Sequence, residues 1–495
     1  MPSTPSYDAC QATDAKPERL EGDWSADDAQ NARNILFFVQ FLQQLAFAGT
    51  IVDSYQVAKF FGASPAFSGL LVGLFMTGGA VGTSCMMLVL QVRPTVWKNF
   101  RAIVLTCQTM DTVGVLLYTL LLYLGVNATG SAWIYALAVV RFAWGLGSGV
   151  TGQLAGVAIT KMTAPHELPE QMQNLQFWQT LGLGLGPLMA SISIFVHGLV
   201  LSNSHPAKLC CAPSTLAGFQ LMALCTLWQV CPTRVHAWHS HGTAVSQKRQ
   251  ELSSKVQVFF LCSCFLLCAL RGYAVAGAEV GTAMLLEVSY EWKRHSVGIL
   301  VSGAFLASIP LRGAYFSIKD WFDIALWIRI LSFIAIGGTT LLFSHISRLL
   351  PNGVMLVLAD AIMFPSLYLG EGLTRGLMMR FAKDSTVISA NHASFMAIVL
   401  NNVARTIAPW MSRQNISSGK PMEGQDLFAF GQVLCCTLFL LIFELGFEKV
   451  SAAARPVIVI GLPSLNEAHN IERLTKTVDE GGLISLLLSH FLICF

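Results

Sequence analysis

Long apolar runs separated by short polar loops occupy most of the chain. Residues 35–58, 67–92 and 101–125 each reach the roughly 20 residues that a helix needs to cross a bilayer. The longest connection between such runs, residues 232–255, follows the sixth, so the pattern predicts two halves of six helices. The twelve predicted spans are 35–58, 67–92, 101–125, 132–160, 172–200, 213–231, 256–286, 296–313, 322–345, 352–379, 386–411 and 427–447.

Composition supports a membrane protein. Of the 495 residues, 54% are hydrophobic and 12% are charged, and the mean hydropathy is +0.58. A soluble domain carries about 25% charged residues, so the composition excludes an ordinary soluble protein and predicts a multi-pass protein in a lipid bilayer. The net charge of +3 is spread over scattered Lys and Arg residues, so no nucleic-acid partner is expected.

The loops predict an orientation. Lys and Arg are more frequent in the loops on the side of the N-terminus, which places both termini in the cytosol. The glycosylation sequons at Asn127 and Asn415 then fall in outer loops. The predicted domains are a disordered cytosolic tail (1–34), a first six-helix bundle (35–231), a cytosolic linker (232–255), a second bundle (256–447) and a cytosolic tail (448–495).

Short repeats relate the two halves. Residues 69–73 at the start of the second span align with 298–302 at the start of the eighth. Gly186-Pro187 in the fifth span corresponds to Ala408-Pro409 in the eleventh. Duplicated halves are typical of secondary transporters, so the repeat predicts a pseudo-symmetric bundle.

Two motifs resemble the major facilitator superfamily. The fourth span contains R-x-x-x-G-x-G from Arg141 to Gly147, and residues 182–187 of the fifth span are similar to the antiporter-type segment of that family. The resemblance implies an all-α fold of twelve transmembrane helices, with access alternating as two halves rock. Residues 82–94 lack the Asp of the usual loop motif. Small residues and proline let helices approach and bend, which makes these the candidate conformational residues: Gly145, Gly147, Gly182, Gly186 and Pro187.

Within that superfamily, residues 50–55, 62–64 and 170–173 are similar to the SPX-linked vacuolar phosphate transporters and their lysosomal relatives. The N-terminal tail is too short for an SPX domain. This resemblance implies phosphate as a candidate substrate and a vacuole-like or lysosome-like organelle as a candidate location, beside the plasma membrane.

Charged side chains inside the spans are costly, so each is a functional candidate. Arginines suit an anionic substrate, and carboxylates suit proton coupling. The alternative is structural pairing, as between Glu371 and Arg375 one turn apart, and Asp111 is assigned to packing. The substrate-binding candidates are Tyr55, Arg141, Gln179, Arg271 and Asn401, and the proton-coupling candidates are Asp53, Glu279, Asp360 and Glu371.

The C-terminal tail carries a separate signal. From Val457 onward, a β-branched run followed by Asn466-Glu467 resembles the opening of family-two glycosyltransferases. One such unit cannot complete an active site, which favours a truncated fusion or a simple amphipathic tail.

Three histidines at 236, 239 and 241 lack a fixed fourth ligand, so neither a metal nor a cofactor is predicted.

The sequence therefore predicts a monomeric secondary transporter and not an enzyme. The expected cargo is a small anion, phosphate or an organic anion, moved together with protons. Three alternatives stay open: a transporter of a neutral solute such as a sugar, a truncated membrane-anchored glycosyltransferase, and a non-transporting receptor on the same fold.

Overall fold

The computed structural model describes residues 26–92, 99–127, 132–163, 167–200, 205–231, 254–383, 387–418 and 421–458. In these segments the chain forms helices joined by short connections, without a strand. The helices are α1 (Ala26–Gly49), α2 (Ile51–Phe60), α3 (Pro65–Val92), α4 (Phe100–Asn127), α5 (Ala132–Met162), α6 (Leu168–Val200), α7 (His205–Val230), α8 (Ser254–Val288), α9 (Arg294–Leu306), α10 (Ser308–Ile318), α11 (Ile324–Thr340), α12 (Ser344–Ser347), α13 (Val354–Lys383), α14 (Ala390–Ser418) and α15 (Pro421–Ile458).

Each predicted span corresponds to a helix or to a pair of consecutive helices. Ten helical segments of the described chain are long and apolar enough to cross a membrane. The predicted ninth span is the shorter apolar helix α11, whose first turn is capped by Asp323 accepting a hydrogen bond from Leu326 N at 2.6 Å. The predicted eleventh span is α14, which is long but carries several polar residues.

Two predicted boundaries are wrong because polar sequence also forms helix. Helix α1 begins inside the predicted tail 1–34, where Gln30 Nε2 donates to Asn34 Oδ1 at 3.0 Å one turn later. Helix α15 continues into the predicted tail 448–495, through three consecutive alanines at 452–454 that favour helix. Residues 457 and 458 therefore end a helix, and the rest of the glycosyltransferase-like segment lies outside the described residues.

The two halves meet through two equivalent helix pairs. Helix α3 packs against α14, and α6 packs against α9. The repeated residues lie at these contacts: a methyl group on Gly69 would lie 2.6 Å from the Pro409 carbonyl carbon, and one on Gly298 would lie 3.1 Å from the Pro187 carbonyl oxygen. A pseudo-two-fold axis that exchanges the two halves also exchanges the α3–α14 contact with the α6–α9 contact. The sequence repeat therefore reflects a pseudo-symmetric interface.

Burial separates inner helices from peripheral ones. The first span and α13 are mostly buried, whereas α4 and α15 expose apolar residues such as Leu116, Leu120 and Leu441. In water such surfaces would be unfavourable, but in lipid they are solvated by the acyl chains. The arrangement is an all-α, multi-pass membrane protein.

The helix bundle has two opposite ends, which are distinguished by the helices that begin or end there. The terminal face is the end where α1 begins and α15 ends. The distal face is the opposite end, where α2 ends and α9 begins.

Candidate functional site

A central cavity lies between the two halves. Helices α1, α3, α5 and α6 line one side, and α8, α13 and α14 line the other. The polar residues in its wall are Gln40, Gln44, Ser148, Gln176, Gln179, Arg271, Tyr368, Glu371, Arg375, Ser394, Asn401, Asn402 and Arg405.

The second half contributes an ionic cluster to this cavity. Arg271 forms an ion pair with Glu371, and its Nη2 donates to Asn401 Oδ1 at 3.1 Å. Arg375 Nη1 lies 3.7 Å from the other Glu371 oxygen. Two guanidinium groups thus share one buried carboxylate, which leaves positive charge in excess.

Arg405 adds a third guanidinium. Its Nη2 lies 3.6 Å from Glu279 Oε2, and Glu279 is 1% exposed. One turn along α8, Thr282 Oγ1 donates to Asp360 Oδ2 at 2.7 Å. Glu279 and Asp360 therefore lie in one polar patch behind the cavity wall, reached from the cavity through Arg405.

The first half presents amides instead of charges. Gln179 Nε2 donates to Gln40 Oε1 at 2.7 Å, and Gln40 Nε2 donates to Gln43 Oε1 at 2.8 Å. Gln44 and Gln176 also line the cavity. This wall can donate and accept hydrogen bonds without adding net charge.

The described lining of the cavity carries positive charge in excess. Three arginines and one glutamate are the charged side chains in its described lining, and with Glu279, the partner of Arg405, the cluster has a net charge of +1 (three minus two). The Nε atoms of Arg271 and Arg405 are buried without a hydrogen-bond partner among the described residues. Free, desolvated guanidinium donors match carboxylate or phosphate oxygens.

Four of the nine predicted binding and coupling residues line the cavity: Gln179, Arg271, Glu371 and Asn401. Glu279 and Asp360 lie behind it. The cavity also includes Gln40, which the sequence predicted only as a hydrogen-bonding residue for a neutral solute, and Arg405, which it predicted only as a charge inside a span. Selecting Arg405 required knowing that α14 faces the cavity.

Arg141 is placed away from the cavity. Its guanidinium carbon lies 4.9 Å from the ring centroid of Trp144 and 5.1 Å from that of Phe75, and its Nη atoms have no hydrogen-bond partner among the described residues. Phe47 and Tyr118 complete this aromatic cage, each at 5.9 Å. Cation–π contacts stabilise the charge there.

Asp53 and Tyr55 lie on α2, near the distal face. Asp53 forms an ion pair with Arg294 at the start of α9. Arg294 stood in a predicted loop, so the sequence alone did not connect it with Asp53.

Further polar contacts join the halves around this pair. Arg413 donates to Ser54 Oγ at 3.0 Å and also to Ser68. Gln56 donates to Glu287 across the same boundary. We call these seven residues the distal closure, because they join the two halves above the cavity: Asp53, Ser54, Gln56, Ser68, Glu287, Arg294 and Arg413.

The candidate conformational glycines lie at close helix contacts. Gly145 packs against the α3 backbone, Gly147 against α4, and Gly182 and Gly186 against α1. Pro187 lies inside α6. These positions permit close packing, and their part in conformational change stays a prediction.

The asparagines of the two glycosylation sequons both belong to helices. Asn415 lies inside α14 and not in a loop, because that helix continues to Ser418, and Asn127 is the last residue of α4. Glycosylation at either position stays a prediction.

Within the described segments, no group of three or more His, Cys, Asp or Glu residues is arranged to hold a metal ion.

Comparisons agree on the fold. No protein-family model matches the chain, and no curated protein matches it. The solved human organic anion transporter MFSD10 (TETRAN) is similar, with a TM-score of 0.52 and 14% identity over 83% of this chain and 99% of that one. A bacterial homolog of the human lysosomal transporter Spinster, inward-facing and unoccupied, gives 0.53 and 12% over 87% and 98%.

FucP, a major facilitator superfamily transporter in the outward conformation, gives a TM-score of 0.53 at 13% identity over 83% of this chain and 98% of that one. Identities this low establish the fold alone. The chain has the fold of the major facilitator superfamily transporters, which confirms the predicted fold class.

Proposed function

We propose that this protein is a secondary transporter that moves a small anion together with protons. The observation that carries the proposal is the charge of the cavity, where Arg271, Arg375 and Arg405 outnumber their two carboxylate partners, Glu371 and Glu279. Buried positive charge without enough carboxylate to neutralise it is costly. A substrate anion would supply the missing negative charge.

The pairing of Arg271 with Glu371 suggests how proton and substrate are coupled. When Glu371 takes up a proton, it releases Arg271, whose guanidinium can then bind a carboxylate or phosphate group. When the anion leaves, Glu371 loses its proton and pairs with Arg271 again. Proton uptake by Glu279 would release Arg405 in the same way.

The distal closure supports alternating access. Its contacts join the halves on one side of the cavity, so they must break before a solute can enter or leave by that face. We place the terminal face in the cytosol, as the loop charges predict. The membrane is the plasma membrane or that of a vacuole-like organelle, and the protein functions as a monomer.

Phosphate and organic anions both fit the guanidinium cluster. An organic anion is supported by the organic anion transporter among the similar structures. Phosphate is supported by the resemblance of residues 50–55, 62–64 and 170–173 to the vacuolar phosphate transporters. The amide wall formed by Gln40, Gln44, Gln176 and Gln179 favours a second candidate, a neutral solute such as a sugar.

The test is uptake of labelled phosphate and of labelled mono- and dicarboxylates into proteoliposomes, with and without an imposed pH gradient. We expect at least one anion to accumulate with the gradient, and Arg271→Ala to abolish this. Arg329→Ala is the matched control, because Arg329 pairs with Glu444 on a half-exposed surface away from the cavity. Uptake of a labelled sugar alone would support the second candidate, and no uptake of any solute would favour a receptor.

A further inference from the structure

Asp111 is a buried acid that is not among the residues lining the cavity. It lies near the middle of α4, a helix whose other face exposes apolar residues, and it is 1% exposed. A carboxylate at this depth in a bilayer is expensive unless it is paired or protonated. The sequence pattern assigned it to packing.

The contacts of Asp111 are all neutral. Gln43 Nε2 donates to its Oδ2 at 3.0 Å and also donates to Thr151. Its Oδ1 has no hydrogen-bond partner among the described residues. A methyl group on Gly147 would lie 2.9 Å from Oδ1, so the glycine leaves the space that this oxygen occupies.

Among the described residues, no cation pairs with the Asp111 carboxylate. Cys107 lies one turn away on α4, and α7 presents Gln220 bonded to Gln108. On α5, Arg141 is held in its aromatic cage, and none of the described ion pairs includes Asp111. Helix α1 presents only amides, so the surroundings favour the neutral, protonated acid.

This arrangement differs from that of three other buried carboxylates, each of which has an arginine partner. Glu371 and Glu279 each have an arginine partner, and Asp53 has Arg294. Asp360 has the Thr282 hydroxyl, so it is the acid most like Asp111. Cation pairing stabilises the charged form, and its absence at Asp111 removes that stabilisation.

A chain of side-chain amides joins Asp111 to the cavity. Gln43 bonds to Gln40, and Gln40 bonds to Gln179, and the last two line the cavity. A solute that takes a hydrogen bond from Gln40 or Gln179 changes the bonding of Gln43. That change alters how strongly Gln43 supports a charge on Asp111.

We propose that Asp111 is a proton-binding site of this protein, hydrogen-bonded through Gln43 and Gln40 to the wall of the cavity. Its use in transport rests on the proposed function, but proton binding itself does not. Asp111 would be the proton site of the first half, where Glu371 and Glu279 serve the second.

The test is infrared difference spectroscopy of the purified full chain in lipid, comparing neutral and alkaline pH. A protonated buried acid gives a carboxylic C=O stretching band that a solvated carboxylate lacks. We expect Asp111→Asn to remove one such band and Asp360→Asn to leave that band in place. A full set of bands in Asp111→Asn would overturn the proposal.

A second variant covers the case in which Asp111→Asn does not fold. Gln43→Leu removes the amide that donates to Asp111 Oδ2, so the band should persist and move to higher frequency. An unmoved band would show that the acid being observed is not Asp111. The measurement needs no transport, so absent uptake by the wild type would contradict the proposed function and leave this result standing.

Discussion

The single guanidinium group of Arg271 has several partners at once. It pairs with Glu371, donates to Asn401 and lies 5.7 Å from the ring centroid of Tyr368, and its Nε is still free. The planar fork of arginine satisfies several acceptors in fixed directions, whereas lysine is a point charge. The identity of this side chain should therefore matter as much as its charge.

We predict that Arg271→Lys lowers anion uptake by at least about tenfold, which corresponds to about 1.4 kcal/mol. Lysine keeps the charge but cannot contact Glu371, Asn401 and a substrate oxygen together. The measurement is initial uptake rate in proteoliposomes, normalised to protein. Arg329→Lys is the control and should stay within about twofold, because exposed ion pairs contribute little. Equal losses in both variants would contradict a special role for Arg271.

Glu371 gives a second prediction at this scale. Gln has the shape of the protonated acid and cannot lose a proton, so Glu371→Gln should keep Arg271 released. We expect exchange of labelled for unlabelled anion to continue, while accumulation driven by a pH gradient disappears. Glu444→Gln, on the exposed pair with Arg329, should preserve both activities. Gradient-driven accumulation by Glu371→Gln would show that another acid carries the proton.

At the scale of the helices, glycines set the distance between α3 and α5. A methyl group on Gly145 would lie 2.8 Å from the Phe75 carbonyl carbon and 3.1 Å from Gly79 N. Both are backbone atoms, which cannot rotate away as a side chain can. Dispersion and close approach of backbones hold membrane helices together, so this contact determines the packing of the pair.

We predict that Gly145→Ala destabilises the protein by about 1–3 kcal/mol, the usual cost of overpacking. Gly218→Ala is the matched control, because a methyl group there meets nothing within 4 Å on a helix of the same bundle. It should be neutral or slightly stabilising, since alanine favours helix. Thermal unfolding of the two variants in one detergent compares them. Equal midpoints would contradict the close α3–α5 contact.

Helices were the part of this protein that sequence could predict well. An apolar run of bilayer length has few alternatives to a transmembrane helix, and even the polar α14 was bounded by its flanking loops. What each helix faces was less predictable. The contacts of Asp111 and Arg294 were not predictable, because their partners Gln43 and Asp53 are distant in sequence and adjacent only after the helices pack.

The candidate site shows the same limit. Arg271 and Glu371 could be selected because charge inside a span is a signal in itself. Gln40 gives a weaker signal and was predicted only for a neutral solute, since a glutamine in an apolar run has no comparable cost. Its place in the wall follows from the rotation of α1 about its axis, which the sequence pattern does not determine.

For the whole molecule, the distal closure ties the position of one half to the other. Asp53 and Arg294 pair across the boundary, and both belong to helix ends that would separate if the halves rocked apart on this side. Breaking a buried pair leaves an uncompensated charge and costs several kcal/mol. Loss of one partner should therefore favour conformations in which the distal face is open.

We predict that Asp53→Asn lengthens the distance between spin labels at Lys59→Cys and Lys293→Cys, two exposed distal positions, in a cysteine-free background. The exchange Asp53→Arg with Arg294→Asp should restore the shorter distance, because the attraction is the same with the charges reversed. Pulsed electron paramagnetic resonance in nanodiscs gives both distance distributions. It needs no substrate, so it tests the closure independently of transport.

The control for this prediction lies on the opposite face. Glu170 and Lys319 are 53% and 37% exposed, and they approach to 4.0 Å near the terminal face, across the boundary between the halves. Such an exposed pair contributes little, so Glu170→Gln should leave the distal distances unchanged. If it lengthened them as much as Asp53→Asn does, the closure would not depend on the buried pair. If neither variant changed the distances, the halves would be held together by the helix contacts of α3 with α14 and of α6 with α9 alone.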